Sequence, residues 1–248
     1  MKYFIGNWKM FGVPKSIDII KKVTTYKKRD KFNKKYKIVF TPPFTLIESF
    51  SNFFKKNPSV SIGAQNCYHK DLFSSDTGAI SSFMIKLVGA KYVIIGHSDN
   101  RSEGDTDSVV KQKISHALKN NLKVIFCIGE NKRDKIKKRT KIVLKKQILN
   151  SLNNKTNLNN IIVAYEPIWS IGTGLVPKNF ELNETITFIK KILKKVNKKK
   201  LPPVLYGGSV DGNSVKSFKK IKIIDGFLIG GASKSSKNFI DIIKNYYR

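Results

Sequence analysis

Acid is scarce in this sequence. Only 17 Asp and Glu stand against 48 Lys and Arg, a formal net charge of +31 over 248 residues. Cysteine is nearly absent too: Cys67 and Cys127 are the two in the chain, too few for a disulfide framework and in keeping with a reducing compartment. No run of about 18 apolar residues occurs, which excludes a membrane-spanning helix. Met1 to Gly6 enters an apolar, strand-like segment without a signal-peptide layout. The three histidines, His69, His97 and His116, share no metal-ligand spacing with the cysteines. A Walker A loop, a nucleophile elbow and a GxGxxG turn after the first strand are all missing. Hydrophobic residues nevertheless make up 40% of the chain, enough for a sizeable core. The expectation is a soluble, cytoplasmic protein of one domain over residues 1–248, with no metal, no cofactor and no membrane attachment.

Lysine takes the place of acid. The chain holds 43 Lys and 5 Arg, whereas sites that grip phosphate backbones favour the bidentate fork of Arg. The densest basic run, Lys132–Lys146, has nine Lys or Arg and no aromatic side chain of the kind on which single-strand binders stack bases. It reads as a solvated helix face, with no nucleic acid as partner. The accompanying Asn and Ile point to an A/T-rich genome.

Short β-branched or aromatic runs alternate with longer segments of helical period. Strand candidates begin near Lys2, Lys37, Val60, Tyr92, Leu122, Ile161, Val204 and Gly226. After Pro177, the apolar residues Leu182, Ile186, Ile189, Leu193 and Val196 form one stripe of a helix. Ile136, Val143, Leu144, Ile148 and Leu152 are expected to line one side of the basic segment. Eight strand–helix units in this length predict an α/β fold, the (β/α)8 barrel of eight parallel strands surrounded by helices.

Chemistry in such barrels sits at the C-terminal ends of the strands. The first strand ends in Asn7-Trp8-Lys9, with Asn7 and Lys9 expected on one side; the fourth ends in Gly96-His97-Ser98 and the sixth in Glu166-Pro167. Pro167 keeps Glu166 out of the helical region, and the apolar run before it partly desolvates the carboxylate, making it a better base. Gly172-Thr173-Gly174, Gly207-Gly208-Ser209 and Gly230-Gly231-Ala232-Ser233 follow the last three strands and suit a phosphate cradle of backbone N–H groups. A base carboxylate, a His, a Lys and a phosphate cradle together suit cofactor-free proton abstraction beside a carbonyl.

These segments, with Gln65-Asn66, Cys127-Ile128-Gly129-Glu130 and Ala164-Tyr165-Glu166-Pro167-Ile168-Trp169, resemble the triosephosphate isomerase family from Asn7 to Ser233. The resemblance implies a TIM barrel that interconverts dihydroxyacetone phosphate and D-glyceraldehyde 3-phosphate through an enediol(ate), in glycolysis and gluconeogenesis. It implies Glu166 as base, His97 as neutral electrophile, Lys9 as electrostatic stabiliser and Asn7 as a substrate-positioning residue. Phosphate would be held at Gly172, Ser209, Gly230 and Gly231. The loop from Pro167 to about Pro177 would be a lid, with Glu130 and Tyr206 supporting it.

The chain departs from the family pattern at Asp99, Asn100 and Asp105, at Ala79 after Thr77-Gly78, and at Leu175-Val176-Pro177. The shorter Asp99 puts its reach towards Lys9 in doubt. Loss of an acid at Ala79 together with a base at Asn100 suggests the paired removal of an ionic cluster, and hence a homodimer less tightly assembled than is usual. Two other readings are weighed: a phosphate-binding barrel isomerase or lyase of amino-acid biosynthesis, which would lack the Asn-x-Lys, His and Glu-Pro set, and a nucleic-acid-binding scaffold on a degenerate barrel.

Overall fold

The computed structural model describes residues 1–57, 59–197 and 201–248. Its strands are β1 (Lys2–Asn7), β2 (Tyr36–Thr41), β3 (Val60–Ala64), β4 (Tyr92–Ile95), β5 (Lys123–Ile128), β6 (Ile161–Tyr165), β7 (Val204–Tyr206) and β8 (Gly226–Ile229). They pair in sequence order, all parallel, and close where β1 meets β8, with Ile5 opposite Leu228. The helices are α1 (Ile17–Arg29), α2 (Phe44–Phe54), α3 (Ser82–Leu87), α4 (Ser98–Ser102), α5 (Asp107–Lys119), α6 (Lys132–Ile136), α7 (Thr140–Ser151), α8 (Asn179–Val196), α9 (Ser214–Phe218) and α10 (Ser236–Tyr247). Each expected strand is present, and the fold is the (β/α)8 barrel.

Strand alternation divides the apolar residues into two cores. Ile5, Val39, Ile94, Ile125, Cys127, Ile162, Ala164, Leu205 and Leu228 pack together inside the barrel. Their neighbours Phe4, Ile38, Val93, Phe126, Val163, Tyr206 and Phe227 pack outward under the helices. The stripe of α8 lies in that outer core, with Leu182, Ile186, Ile189, Leu193 and Val196 all buried, and Ile192 beside them.

The basic segment corrects one expectation. It is not one helix: α6 stops at Ile136, and Lys138 takes a left-handed φ of 56° before α7 begins. The break rotates Ile136 away from the stripe, so it is 71% exposed, while Leu144, Ile148 and Leu152 are buried. The Lys and Arg side chains of this run stay at the surface.

Candidate active site

The eight site residues expected from sequence meet around one cavity. Asn7, Lys9, His97, Glu166, Gly172, Ser209, Gly230 and Gly231 line about 400 Å³ at the C-terminal mouth of the barrel. They arrive there by different means. Asn7 and Glu166 continue the inward parity of Ile5 and Ala164, so strand alternation alone aims both into the mouth.

His97 has the wrong parity, since Ile95 faces outward. Gly96 corrects this with a φ of 74°, a conformation only Gly adopts without strain. The turn also makes His97 the N-cap of α4: the backbone N–H of Asp99 donates to His97 Nδ1 at 3.1 Å. An accepting Nδ1 carries no proton, so the ring is neutral and its proton sits on Nε2. That Nε2 lies 3.4 Å from Glu166 Oε1.

Lys9 is not a strand residue. β1 ends at Asn7, and Lys9 has a φ of 53°, a left-handed conformation that costs a non-Gly residue about 1–2 kcal/mol. The surroundings hold it there. Its N–H donates to Asn7 Oδ1 at 3.1 Å, and its carbonyl accepts from Gln65 Nε2 at 2.9 Å. Gln65 also donates to the Thr41 carbonyl at 2.8 Å, tying the ends of β1 and β2 to the turn. Lys9 Nζ then reaches Asp99 Oδ2 at 3.1 Å, so the shorter acid does span the distance.

Glu166 is buried, and burial raises its pKa against the opposing effects of the neighbouring Cys127 thiol and Lys9. Its Oε2 has no hydrogen-bond partner. Room for the side chain comes from Gly207, where a Cβ would stand 2.7 Å from Glu166 Cγ. Cys127 is buried beside Glu166, and burial lifts its thiol well above the ordinary value, while Cys67 is pushed up to about 12. Neither is a thiolate at neutral pH. No group of three or more His, Cys, Asp or Glu able to hold a metal occurs among the described residues.

The loop from Pro167 to Pro177 crosses one side of the cavity and is fastened mainly by Ser170. Ser170 is fully buried; its Oγ meets Tyr206 Oη at 2.9 Å and donates to the Leu175 carbonyl at 2.5 Å. The Ser170 carbonyl accepts from Ser209 Oγ at 2.6 Å, and Ser209 Oγ in turn accepts from Gly174 N–H at 3.2 Å. Glu130, fully buried, accepts from Trp169 Nε1 at 2.9 Å and from Tyr165 Oη. Sequence reading ascribed support of the lid to Glu130 and Tyr206 but missed Ser170 and the part Gln65 plays. Gly230 and Gly231 have nothing within 4 Å of the position a Cβ would take, which leaves their backbone open to the cavity.

The departure at Asp105, and Arg101 near it, are paired within the chain. Asp105 takes both its oxygens to Lys113 Nζ, at 2.7 and 2.8 Å, and Lys113 also donates to Asn66. Arg101 pairs with Asp107 at 2.8 Å.

Comparison with known proteins shows the family and the fold. The profile of the family described as Triosephosphate isomerase matches residues 2–246. Curated triosephosphate isomerases of Wolbachia pipientis and Mycoplasma mobile are 38% and 37% identical, over 97% and 98% of this chain and 92% and 99% of theirs. The crystal structure of triosephosphate isomerase from Bartonella henselae superposes with a TM-score of 0.90 at 29% identity, covering 100% of this chain and 99% of that one.

Proposed function

The chain belongs to the triosephosphate isomerase family, and from that premise we propose that Glu166 is the base, His97 the electrophile and Lys9 the electrostatic stabiliser of its reaction. It is an isomerase that interconverts dihydroxyacetone phosphate and D-glyceraldehyde 3-phosphate. The observation that carries the assignment of roles is the meeting of Glu166, His97 Nε2 and Lys9 on one cavity. Glu166 takes the proton from C1 of the ketose, the C–H pair becomes the C=C bond of the enediolate, and the carbonyl pair moves onto oxygen. The Nε2–H of His97 and the ammonium of Lys9 stabilise that oxygen. The hydroxyl proton on O1 then passes to O2, the O1 pair re-forms a carbonyl at C1, and return of the carbon proton to C2 completes the aldose. Asn7 positions substrate and also holds Lys9 in its strained conformation.

We place phosphate at Gly172, Ser209, Gly230 and Gly231, which line the cavity, where the open backbone of the three glycines and the short helical turn beginning at Gly231 favour an anion. The lid keeps water from the enediolate, whose alternative fate is expulsion of phosphate. Pro177 has no N–H to offer at the far end of the lid, so the hydroxyl of Ser170 carries much of its fastening. Ser170→Ala is expected to raise KM about three- to tenfold, as the three contacts of Oγ with Leu175, Tyr206 and the Ser209 N–H are lost, and to increase inorganic phosphate released per turnover. A phosphate-release assay run beside the isomerase assay checks this; unchanged KM and unchanged phosphate release would show that the lid closes without Ser170.

The whole chain is read as a single catalytic domain, working in the cytoplasm, a location in keeping with its two free cysteines. We also propose a homodimer. Large apolar side chains stand exposed on the loops after β1 and β3, Met10 at 98% and Phe73 at 76%, and Leu72, Phe73 and Met84 line one hollow. Such a group is expected to be covered by a second copy. Asp99 and Asp105 pair within the chain, while Ala79 and Asn100 carry no charge, which supports a weaker assembly than is usual. Sedimentation across a range of concentrations should show reversible dissociation to monomer; a species that is monomeric at every concentration and fully active would contradict it.

A further inference from the structure

The pole opposite the mouth carries a feature the isomerase reaction does not use. We propose that Lys27, Lys37, Lys86, Lys91 and Lys123, which line one cavity of about 430 Å³ at the N-terminal rim of the barrel, form a binding site for a polyphosphate anion. The cavity shares no lining residue with the mouth. The topology brings these lysines together: Lys37 lies at the start of β2, Lys91 precedes β4, Lys123 opens β5, and Lys27 and Lys86 come from α1 and α3. Backbone pairing fixes the rim, with Lys123 N–H donating to the Lys91 carbonyl at 3.0 Å.

No Asp or Glu among the described residues lines the cavity. Among the described residues, none of the five ammonium groups forms an ion pair. Lys190, at the same pole, does have such a partner, Asp225 at 2.8 Å. What four of them have instead orients them without neutralising them. Lys27 Nζ donates to the Ser59 carbonyl at 2.8 Å, and Lys86 Nζ to the Asn121 carbonyl at 3.1 Å. Lys37 and Lys123 lie over the rings of Tyr3 and Tyr92, at 5.8 and 5.7 Å. Burial, and then the neighbouring charge of Lys37, lowers the pKa of both Lys27 and Lys123. Like charges gathered in a concave, partly dehydrated place repel one another and oppose folding. A bound anion removes that opposition, and the site therefore favours a ligand of matching charge.

One phosphate carries about −1.5 to −2 at neutral pH, too little to balance five ammonium groups. Linked phosphates supply more charge and more acceptor oxygens within the same volume, and Asn160 adds a side-chain amide to the lining. The shared chemistry is thus a di- or triphosphate chain, free or as part of a nucleotide.

The test is calorimetric titration of the intact protein with sodium tripolyphosphate at constant ionic strength, the mouth being saturated with glycerol 3-phosphate. Binding should persist. Lys37→Gln and Lys123→Gln should each weaken it at least about tenfold, the loss expected for a charge-assisted contact. Lys145→Gln, which removes the same charge from the exposed face of α7, should change affinity by less than about twofold. Isomerase turnover should be retained in all three, which shows that each is folded. A parallel titration with ATP separates the sources: tighter binding than tripolyphosphate assigns a nucleotide, weaker binding a free polyphosphate, and both uphold the site. Equal weakening by Lys145→Gln would reduce the effect to net charge and overturn the proposal. So would displacement of tripolyphosphate by glycerol 3-phosphate, which would place the binding in the mouth.

Discussion

Glu166→Gln lowers kcat by about 10²–10⁴-fold, the usual contribution of a positioned general base, and leaves KM little changed. Glutamine fills the same space beside Gly207 but has no basic oxygen to receive the C1 proton. A coupled assay in both directions measures the loss. The same substitution should raise Tm, because it removes a carboxylate that folding makes harder to ionise. The sign follows from the raised pKa. A carboxyl whose folded pKa exceeds its unfolded one favours folding below the ordinary value, and that contribution is lost as pH rises through the folded value. At neutral pH the ionised Glu166 therefore opposes folding, and Gln relieves it. Activity runs the other way, since the base exists only once the proton has left. The acid limb of kcat/KM should accordingly lie above the ordinary carboxyl value of 4.5 and vanish in the variant. Turnover within tenfold of the unmodified chain would exclude Glu166 as the base.

His97→Gln should lower kcat by about 10²–10³-fold, the range seen when one donor to a developing oxyanion is removed. The role depends on the proton being on Nε2, and the Asp99 N–H bonded to Nδ1 puts it there. Glutamine can present an amide N–H, but it lacks the ring that α4 holds in place from behind. Lys9 remains in the variant with its link to Asp99, so substrate still binds and the loss appears in kcat more than in KM. A change confined to KM would make His97 a binding group only.

The site was legible from sequence to the degree that it obeys strand parity. Asn7 and Glu166 follow directly from apolar alternation in β1 and β6. Lys9 reaches the mouth by a route that alternation does not describe: a left-handed turn held by Asn7 and Gln65, and not a strand position. His97 lies at a strand end by motif, yet it faces inward only because Gly96 turns the chain. The importance of Ser170 was hidden, since a serine in a loop looks like any turn residue until its partners Tyr206, Leu175 and Ser209 are brought near by three different segments. Ile136 shows the converse failure. Its spacing suited a continuous stripe, but Lys138 could adopt a left-handed φ and end the helix. The reach of Asp99 depends on the α4 cap, a tertiary distance that spacing does not encode.

The large positive charge has likewise divided into parts with different standing. The basic run of α6 and α7 lies at the surface, Lys9 and Lys113 have acid partners in and beside the site, and the rim lysines form a cluster with none. A positive field of this size also steers an anionic triose phosphate towards the molecule, so turnover should depend on ionic strength at low substrate concentration.

The central claim is that this chain moves a proton between adjacent carbons of a triose phosphate with its own side chains. It is tested most directly by turnover of D-glyceraldehyde 3-phosphate in D2O, using protein dialysed against a metal chelator. The predicted result is dihydroxyacetone phosphate with solvent deuterium at C1, formed by the unmodified chain and not by Glu166→Gln. Absence of turnover in the unmodified chain, or turnover that appears only on adding a metal ion, would contradict the account.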